Sequence, residues 1–386
     1  MIVVVACITG QPSGIEHNMQ IESPSPSRAT RSGATQAVQT QLPAGIRLSD
    51  HWWYRLDVRR PSETGGPERI AGFRLSAGLF DGRGALDIER DFTSVQARAD
   101  FVAAEPFAAI AGDEALTYGF FDGQRSQVWL ADVLTGDDDL LYETDAVVHF
   151  AAFDERQRVL YYVVLDLATR RDNGVWRLAL GQPNGRPEQV IGPSGANPRE
   201  DGWFEQLWLA GGGARLVVRD CNGDGCRIQV ADTATGRVAA GRRIKDSGLE
   251  VYGVTGEELY FDGNCQRPCP ISALSLTDGR LRDIGNICQT AVVVEGEQSP
   301  TLLYERCPRN GRYEIVAHEL SSIAESVVYE SRSQNPGLVP QSHGSAGFVA
   351  PPGWFLVGRD NSFHDQAPSM VNATNGEIVE LPHLGQ

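Results

Sequence analysis

Residues 219–237, RDCNGDGCRIQVADTATGR, decide how the rest of the chain is read. The stretch ends one apolar run, turns tightly through Asn-Gly-Asp-Gly with a cysteine on each side, and resumes as a second run. That second run, from Cys226 to Asp232, alternates with the two-residue period of a half-buried strand. It closes on Asp-x-x-Thr-Gly, in which a short side-chain acceptor and a glycine supply what a tight turn needs. Strand, hairpin, strand, turn is a piece of antiparallel sheet.

Working outward, the closing turn recurs. It ends at Gly82, Gly136, Gly185, Gly236, Gly279, Ser322 and Gly376, in steps of 43 to 54 residues. A period near 50 falls in the range of propeller blades. Each repeat holds four short runs, as in WFEQLWLA (203–210), RLVVRD (215–220), CRIQVAD (226–232) and VAAGRRI (238–244). The last repeat reads AGFVA (346–350), WFLVG (354–358), PSMVNA (368–373) and EIVEL (377–381). No stripe of helical period competes with these runs. The expected fold is therefore an all-β β-propeller of about seven four-stranded blades over residues 46–386. Its first blade is the weakest, because HWWYRLDV (51–58) has no clear inner strand before it. Six blades with an irregular N-terminal piece is the alternative. An open sheet of so many short strands would expose its edges, and radial closure protects them.

The strand-Asp-x-x-Thr-Gly-strand unit, at 132–136 and 232–236, resembles that of the TolB-like and WD-repeat-like propellers of secreted bacterial proteins. The resemblance implies architecture and leaves function open, because such propellers serve as scaffolds, binding platforms and enzymes alike.

Composition narrows the setting. The 386 residues carry a net charge of -16, and Lys245 is the only lysine, so a polyanion such as nucleic acid would be repelled. Six of the seven cysteines, Cys221, Cys226, Cys265, Cys269, Cys288 and Cys307, crowd into one quarter of the chain. An even set at short spacings reads as a disulfide framework made in an oxidising compartment. No Cys-x-x-Cys pair suggests zinc instead. In a four-stranded meander, the loop between strands two and three and the loop leaving strand four share a face, and all six cysteines fall on it. The expected pairs are Cys221–Cys226, Cys265–Cys269 and Cys288–Cys307, one choice among the 15 open to six cysteines.

The seventh cysteine stands apart. MIVVVAC (1–7) reads as the truncated end of a lipoprotein signal peptide, with Val4-Val5-Ala6-Cys7 as lipobox and Cys7 as the lipidation site. A short buried strand is the other reading. Residues 8–45 are rich in Ser, Thr, Pro and Gln, with too little apolar surface to order them, and read as a disordered tether. No later run reaches the ~18 apolar residues of a spanning helix, so a membrane is expected only through the lipid.

Signals for chemistry are thin. Asp220, Asn222 and Asp224 open a calcium loop of the D-x-[DN]-x-[DN]-G type, but Ile228 and Ala231 stand where its closing ligands belong. A hairpin is the preferred reading there, with calcium the one cofactor the chain offers. His149 and His318 lie in apolar runs and read as satisfied core histidines. No nucleophile elbow, metalloprotease helix or phosphate-binding glycine loop occurs. Carboxylates near loops, at Asp122, Asp137, Asp138, Asp139, Asp166 and Asp262, allow a glycosidase-like pair in the channel. The leading expectation is a non-catalytic, lipid-anchored platform at the cell envelope, binding a protein or glycan partner on its cysteine face. A secreted carbohydrate-active hydrolase or lyase is the alternative.

Overall fold

The computed structural model describes residues 46–60, 70–92, 105–166, 171–180, 186–193, 202–222, 225–244, 250–263, 268–288, 290–294, 299–309, 312–320, 324–331, 337–339, 342–343, 346–358 and 368–381. The segments 1–7 and 8–45 lie outside these, as do the turns at Gly185 and Ser322. The rest forms seven antiparallel sheets in a ring, a seven-bladed β-propeller.

Five blades are consecutive four-stranded meanders. Blade 2 runs through Phe107–Ile110, Ala115–Phe121, Ser126–Asp132 and Asp138–Thr144. Blade 3 has Val147–Asp154, Val159–Asp166, Arg171–Ala179 and Glu188–Ile191. Blade 4 has Gly202–Ala210, Arg215–Asn222, Gly225–Asp232 and Val238–Ile244. Blade 5 has Glu250–Val254, Glu258–Asp262, Cys269–Ser275 and Leu281–Ile287. Blade 6 has Ala291–Val294, Thr301–Arg309, Arg312–Glu319 and Glu325–Ser331.

Position in the blade sets burial. A second strand is covered on both sides by neighbouring blades, so Ala115–Phe121 is buried at every residue and shows no alternation. A fourth strand lies on the perimeter, and Leu281–Ile287 is mostly exposed. Among the described residues the apolar core divides into seven clusters, each between one blade and the next. Burying one large apolar side chain contributes about 1.5–3 kcal/mol, so no blade is stable apart from its neighbours. The seventh cluster, with Trp53, Phe80, Phe348, Trp354 and Met370, joins the last blade to the first and closes the ring.

Closure is where the sequence reading needs correction. The pattern places AGFVA in the last blade as its inner strand, but Ala346–Val349 pairs instead with Trp52–Arg59, placing Trp53 opposite Phe348. Blade 1 is thus a late-chain inner strand followed by Trp52–Arg59, Gly72–Leu79 and Gly84–Asp91. Blade 7 takes its inner edge from residues 337–339. Leu338 bridges to Val357, and the Val339 N–H donates to the Leu356 carbonyl at 3.1 Å, ahead of Ser369–Asn372 and Ile378–Glu380. The reason is edge protection: the first blade begins without an inner strand, and one lent from the far end of the chain pairs its open backbone groups.

The recurring turn joins strands three and four. Asp232 Oδ1 accepts the Thr235 N–H at 2.8 Å and its hydroxyl at 2.9 Å. The Gly236 N–H donates to the Asp232 carbonyl at 2.8 Å, with Gly236 at φ +65°. Asp132 and Asn372 cap their turns in the same way. The Asp of the repeat is consumed in building a turn.

Candidate binding face

The hairpins between strands two and three, and the connections from one blade to the next, emerge on the face opposite those turns. Cys221 and Cys226 are disulfide-bonded across such a hairpin, with Cα atoms 4.0 Å apart. Cys288 follows the last strand of blade 5 and is disulfide-bonded to Cys307 on the second strand of blade 6, with Cα atoms 4.8 Å apart. Cys269 is disulfide-bonded as well, and Cys265 lies outside the described residues.

A second set of crosslinks holds the same face. At three joints, a side chain near the second-to-third hairpin of one blade accepts a backbone N–H from the inner edge of the next. Ser126 Oγ accepts from Val148 at 2.8 Å, Asp172 Oδ2 from Phe204 at 2.6 Å, and Glu305 Oε1 from Leu338 at 2.7 Å. All three acceptor residues are buried. An inner strand entering from a loop has N–H groups with no partner in its own sheet, and a buried unpaired N–H is costly.

Of the six carboxylates expected to offer an acid pair, Asp122, Asp138 and Asp262 are engaged in other hydrogen bonds. Asp262 is buried and accepts the Tyr252 hydroxyl at 2.8 Å. Asp122 caps its own hairpin, accepting the N–H groups of Gln124 and Arg125. Asp137 follows the closing turn of blade 2, while Asp138, which accepts the Tyr118 hydroxyl, and Asp139 lie on that blade's perimeter strand. The Asp166 side chain lies outside the described residues. Backbone also occupies the axis side of blade 1, because Ser342–His343 pairs with the inner strand Ala346–Val349 on its channel edge.

At the proposed calcium loop, Asp220 Oδ2 accepts the Gln229 amide at 2.9 Å, and Asn222 pairs with Gly225 across the hairpin. The Asn222 side chain and Asp224 lie outside the described residues. Among the described residues no group of three His, Cys, Asp or Glu side chains is placed to hold a metal. No helix there is long and apolar enough to cross a membrane.

One polar pair was not legible in the sequence. His149 sits in the inner strand of blade 3 where the register shifts between Val148 and Ala151. Such a bulge turns a side chain away from the regular alternation. Its Nδ1 comes within 3.5 Å of Asp172 Oδ1, with the His149 side chain 24% exposed and that of Asp172 fully buried. Oδ1 has no hydrogen-bond partner. Burial pushes the Asp172 carboxyl up to about 7; the Phe204 N–H opposes this and the Asp220 charge adds to it. Burial pushes the His149 imidazole down to about 4. Within the apolar run VVHFAAF, the histidine looked like core, and 23 positions separate it from its partner. His318 is buried, as expected of a core histidine, with its Nδ1 3.6 Å from Glu325 Oε1.

No family model matches the chain, and no curated protein matches it in sequence. Solved structures match it in shape. A prolyl endopeptidase superposes with a TM-score of 0.50 at 17% identity, over 86% of this chain and 49% of that one. An oligogalacturonate lyase in complex with manganese gives 0.48 at 11% identity, over 85% and 84%. TolB from Acinetobacter baumannii gives 0.39 at 11% identity, over 85% and 79%. The chain spans about half the length of the prolyl endopeptidase. At such identities a likeness is one of fold, and the fold is the β-propeller.

Proposed function

We propose that this chain is an extracytoplasmic propeller whose cysteine-bearing face is a non-catalytic platform for a protein or glycan partner, held at the envelope through a lipid on Cys7. The observation that carries this reading is the concentration of crosslinks at one face. Among the described residues the disulfides lie there, together with three bonds in which a buried side chain accepts a backbone N–H of the next blade. The opposite face is joined by side-chain donors, such as Trp52 to the Asp113 carbonyl and Arg177 to the Thr233 carbonyl. Loops held in place before binding lose less conformational freedom on binding. Disulfides also fit an oxidising compartment. The engagement of Asp172, Asp262 and Glu305 in backbone or phenol bonds, and the backbone on the axis side of blade 1, favour a platform over an acid-pair hydrolase.

Crosslinking the full chain in its native membrane and identifying what co-purifies tests the reading. Crosslinks concentrated on the second-to-third hairpins of blades 4 to 6 support it. Crosslinks confined to the opposite, closing-turn face, or turnover of an oligosaccharide by the purified chain, would overturn it. Metabolic labelling with a fatty acid, compared with Cys7→Ser, tests the anchor separately.

A further inference from the structure

The disulfides of the cysteine-bearing face are not alike. Cys221, Cys226 and Cys269 are 1%, 0% and 0% exposed, whereas Cys288 and Cys307 are both only half-buried. Cys221–Cys226 closes a single hairpin, but Cys288–Cys307 ties the connection leaving blade 5 to the second strand of blade 6. The ladder between the second and third strands of blade 6 shifts register between Arg306 and Arg309. Cys307 therefore lies where the strand is out of step with its neighbour, as in a bulge.

Two residues earlier, Glu305 gathers three connections. Its carbonyl accepts the Cys288 N–H at 3.0 Å, and its own N–H donates to the Thr290 carbonyl at 3.1 Å. Its carboxylate accepts the Leu338 N–H at 2.7 Å. Leu338 bridges to Val357 and forms the inner edge of blade 7. The accessible disulfide thus borders the residue that links blade 5, blade 6 and the closing segment of the ring.

We propose that Cys288–Cys307 is a reducible switch on ring closure, opened by a protein dithiol. The proposal goes beyond the platform reading and does not depend on it.

A thiolate of the reductant attacks one sulfur of the pair, forms a mixed disulfide and displaces the other sulfur as a thiolate, which takes a proton. The second thiol of the reductant then attacks the mixed disulfide. Cys288 and Cys307 leave as two thiols and the reductant as a disulfide, so two electrons and two protons have passed. Attack requires access to sulfur, and exposed disulfides are the labile ones, so reduction stops at this pair and spares the buried cysteines. With the covalent link gone, residues 288–290 rest on Glu305 through backbone hydrogen bonds beside a register shift. Loosening there moves Glu305, and the Leu338 N–H loses its acceptor.

The test treats the folded full chain, without denaturant, with dithiothreitol and separately with a thioredoxin-type protein dithiol. Samples are alkylated at intervals and the labelled cysteines mapped by mass spectrometry. Cys288 and Cys307 should be labelled at least about tenfold faster than Cys221, Cys226 and Cys269 with either reagent. In that partly reduced chain, amide exchange at Leu338 should rise about tenfold while blades 2 and 3 keep their protection, and reoxidation should reverse the change. The double variant Cys288→Ser, Cys307→Ser should show the exchange pattern of the reduced chain. Equal labelling of all these cysteines would overturn the selectivity. Selective labelling with unchanged exchange at Leu338 would overturn the link to closure. Reduction by dithiothreitol but not by the protein dithiol would overturn the assigned reductant. Global unfolding of both the reduced chain and the double variant would make the bond a staple and not a switch.

Discussion

Ring closure makes Glu305 the most informative residue to perturb. Its carboxylate reaches from the second strand of blade 6 to the Leu338 N–H at 2.7 Å, and Leu338 is fully buried. Leu338 forms the inner edge of blade 7, four residues before the chain crosses to Ser342–His343 and then to the inner strand of blade 1. Glu305→Ala removes the acceptor and leaves a buried N–H unpaired, which costs about 1–3 kcal/mol. The side-chain methylene lost on truncation adds roughly 1 kcal/mol. A total of about 2–4 kcal/mol is expected, and Glu305→Gln, which keeps a carbonyl acceptor, should cost under about half of that. Urea unfolding measures the loss, and amide hydrogen exchange locates it: Leu338 should lose protection first and residues 346–349 with it. A Glu305→Ala variant within about 0.5 kcal/mol of the parent, or one whose exchange rises in blades 2 and 3 instead, would refute the claim that this bond anchors closure.

Three further outcomes follow from the same geometry. Gly376 and Gly279 end equivalent turns at φ +71° and +70°, but a Cβ at Gly376 would lie 2.7 Å from the Val328 carbonyl of the preceding blade, while at Gly279 it meets open space. Gly279→Ala should therefore cost only the left-handed strain of about 1–2 kcal/mol, and Gly376→Ala clearly more, as read from urea midpoints. Loop-closure entropy gives about 2 kcal/mol for the Cys221–Cys226 link and about 3 kcal/mol for Cys288–Cys307, whose separations are 5 and 19 residues. Paired serine variants should rank in that order in thermal unfolding, and equal or inverted losses would count against the entropic account.

The third concerns pH. The Asp172 carboxyl is raised from 3.8 to about 7 on folding, so its stabilising effect is fully present below pH 3.8 and is lost as pH rises through 7. His149 is lowered from 6.5 to about 4, so stability from this group falls as pH drops from 6.5 through 4. The two trends oppose each other between pH 4 and 6.5, and the parent should be nearly flat there. His149→Gln removes one of them, so its stability should decline from pH 4 to pH 8 by a few kcal/mol. A variant profile parallel to the parent's would show that the two groups are not linked to folding in this way.

How much of this was legible in the sequence depended on the distance over which each feature is set. The closing turn was readable because Asp232, Thr235 and Gly236 satisfy one another within five residues. The shared face of Cys221, Cys226, Cys269, Cys288 and Cys307 was readable too, because alternating antiparallel strands put every second loop on the same side. The acids at 137–139 misled because a run of carboxylates beside a loop looks alike whether its strand lines the channel or the perimeter. His149 misled in the other direction, since a bulge cannot be seen in VVHFAAF and Asp172 belongs to a different strand.

By itself, the sequence determined the strands, their turns, the period of about 50 and hence the propeller, since these rest on local periodicity and turn chemistry. Only the tertiary structure decided which strand closes the ring. The apolar run 346–349 can cover an inner edge of either blade 7 or blade 1, and local pattern does not distinguish them. The choice falls to blade 1 because its inner edge has no strand of its own, whereas residues 337–339 are at hand for blade 7. The His149–Asp172 pair has the same origin: a contact between strands that only the packed blade brings together.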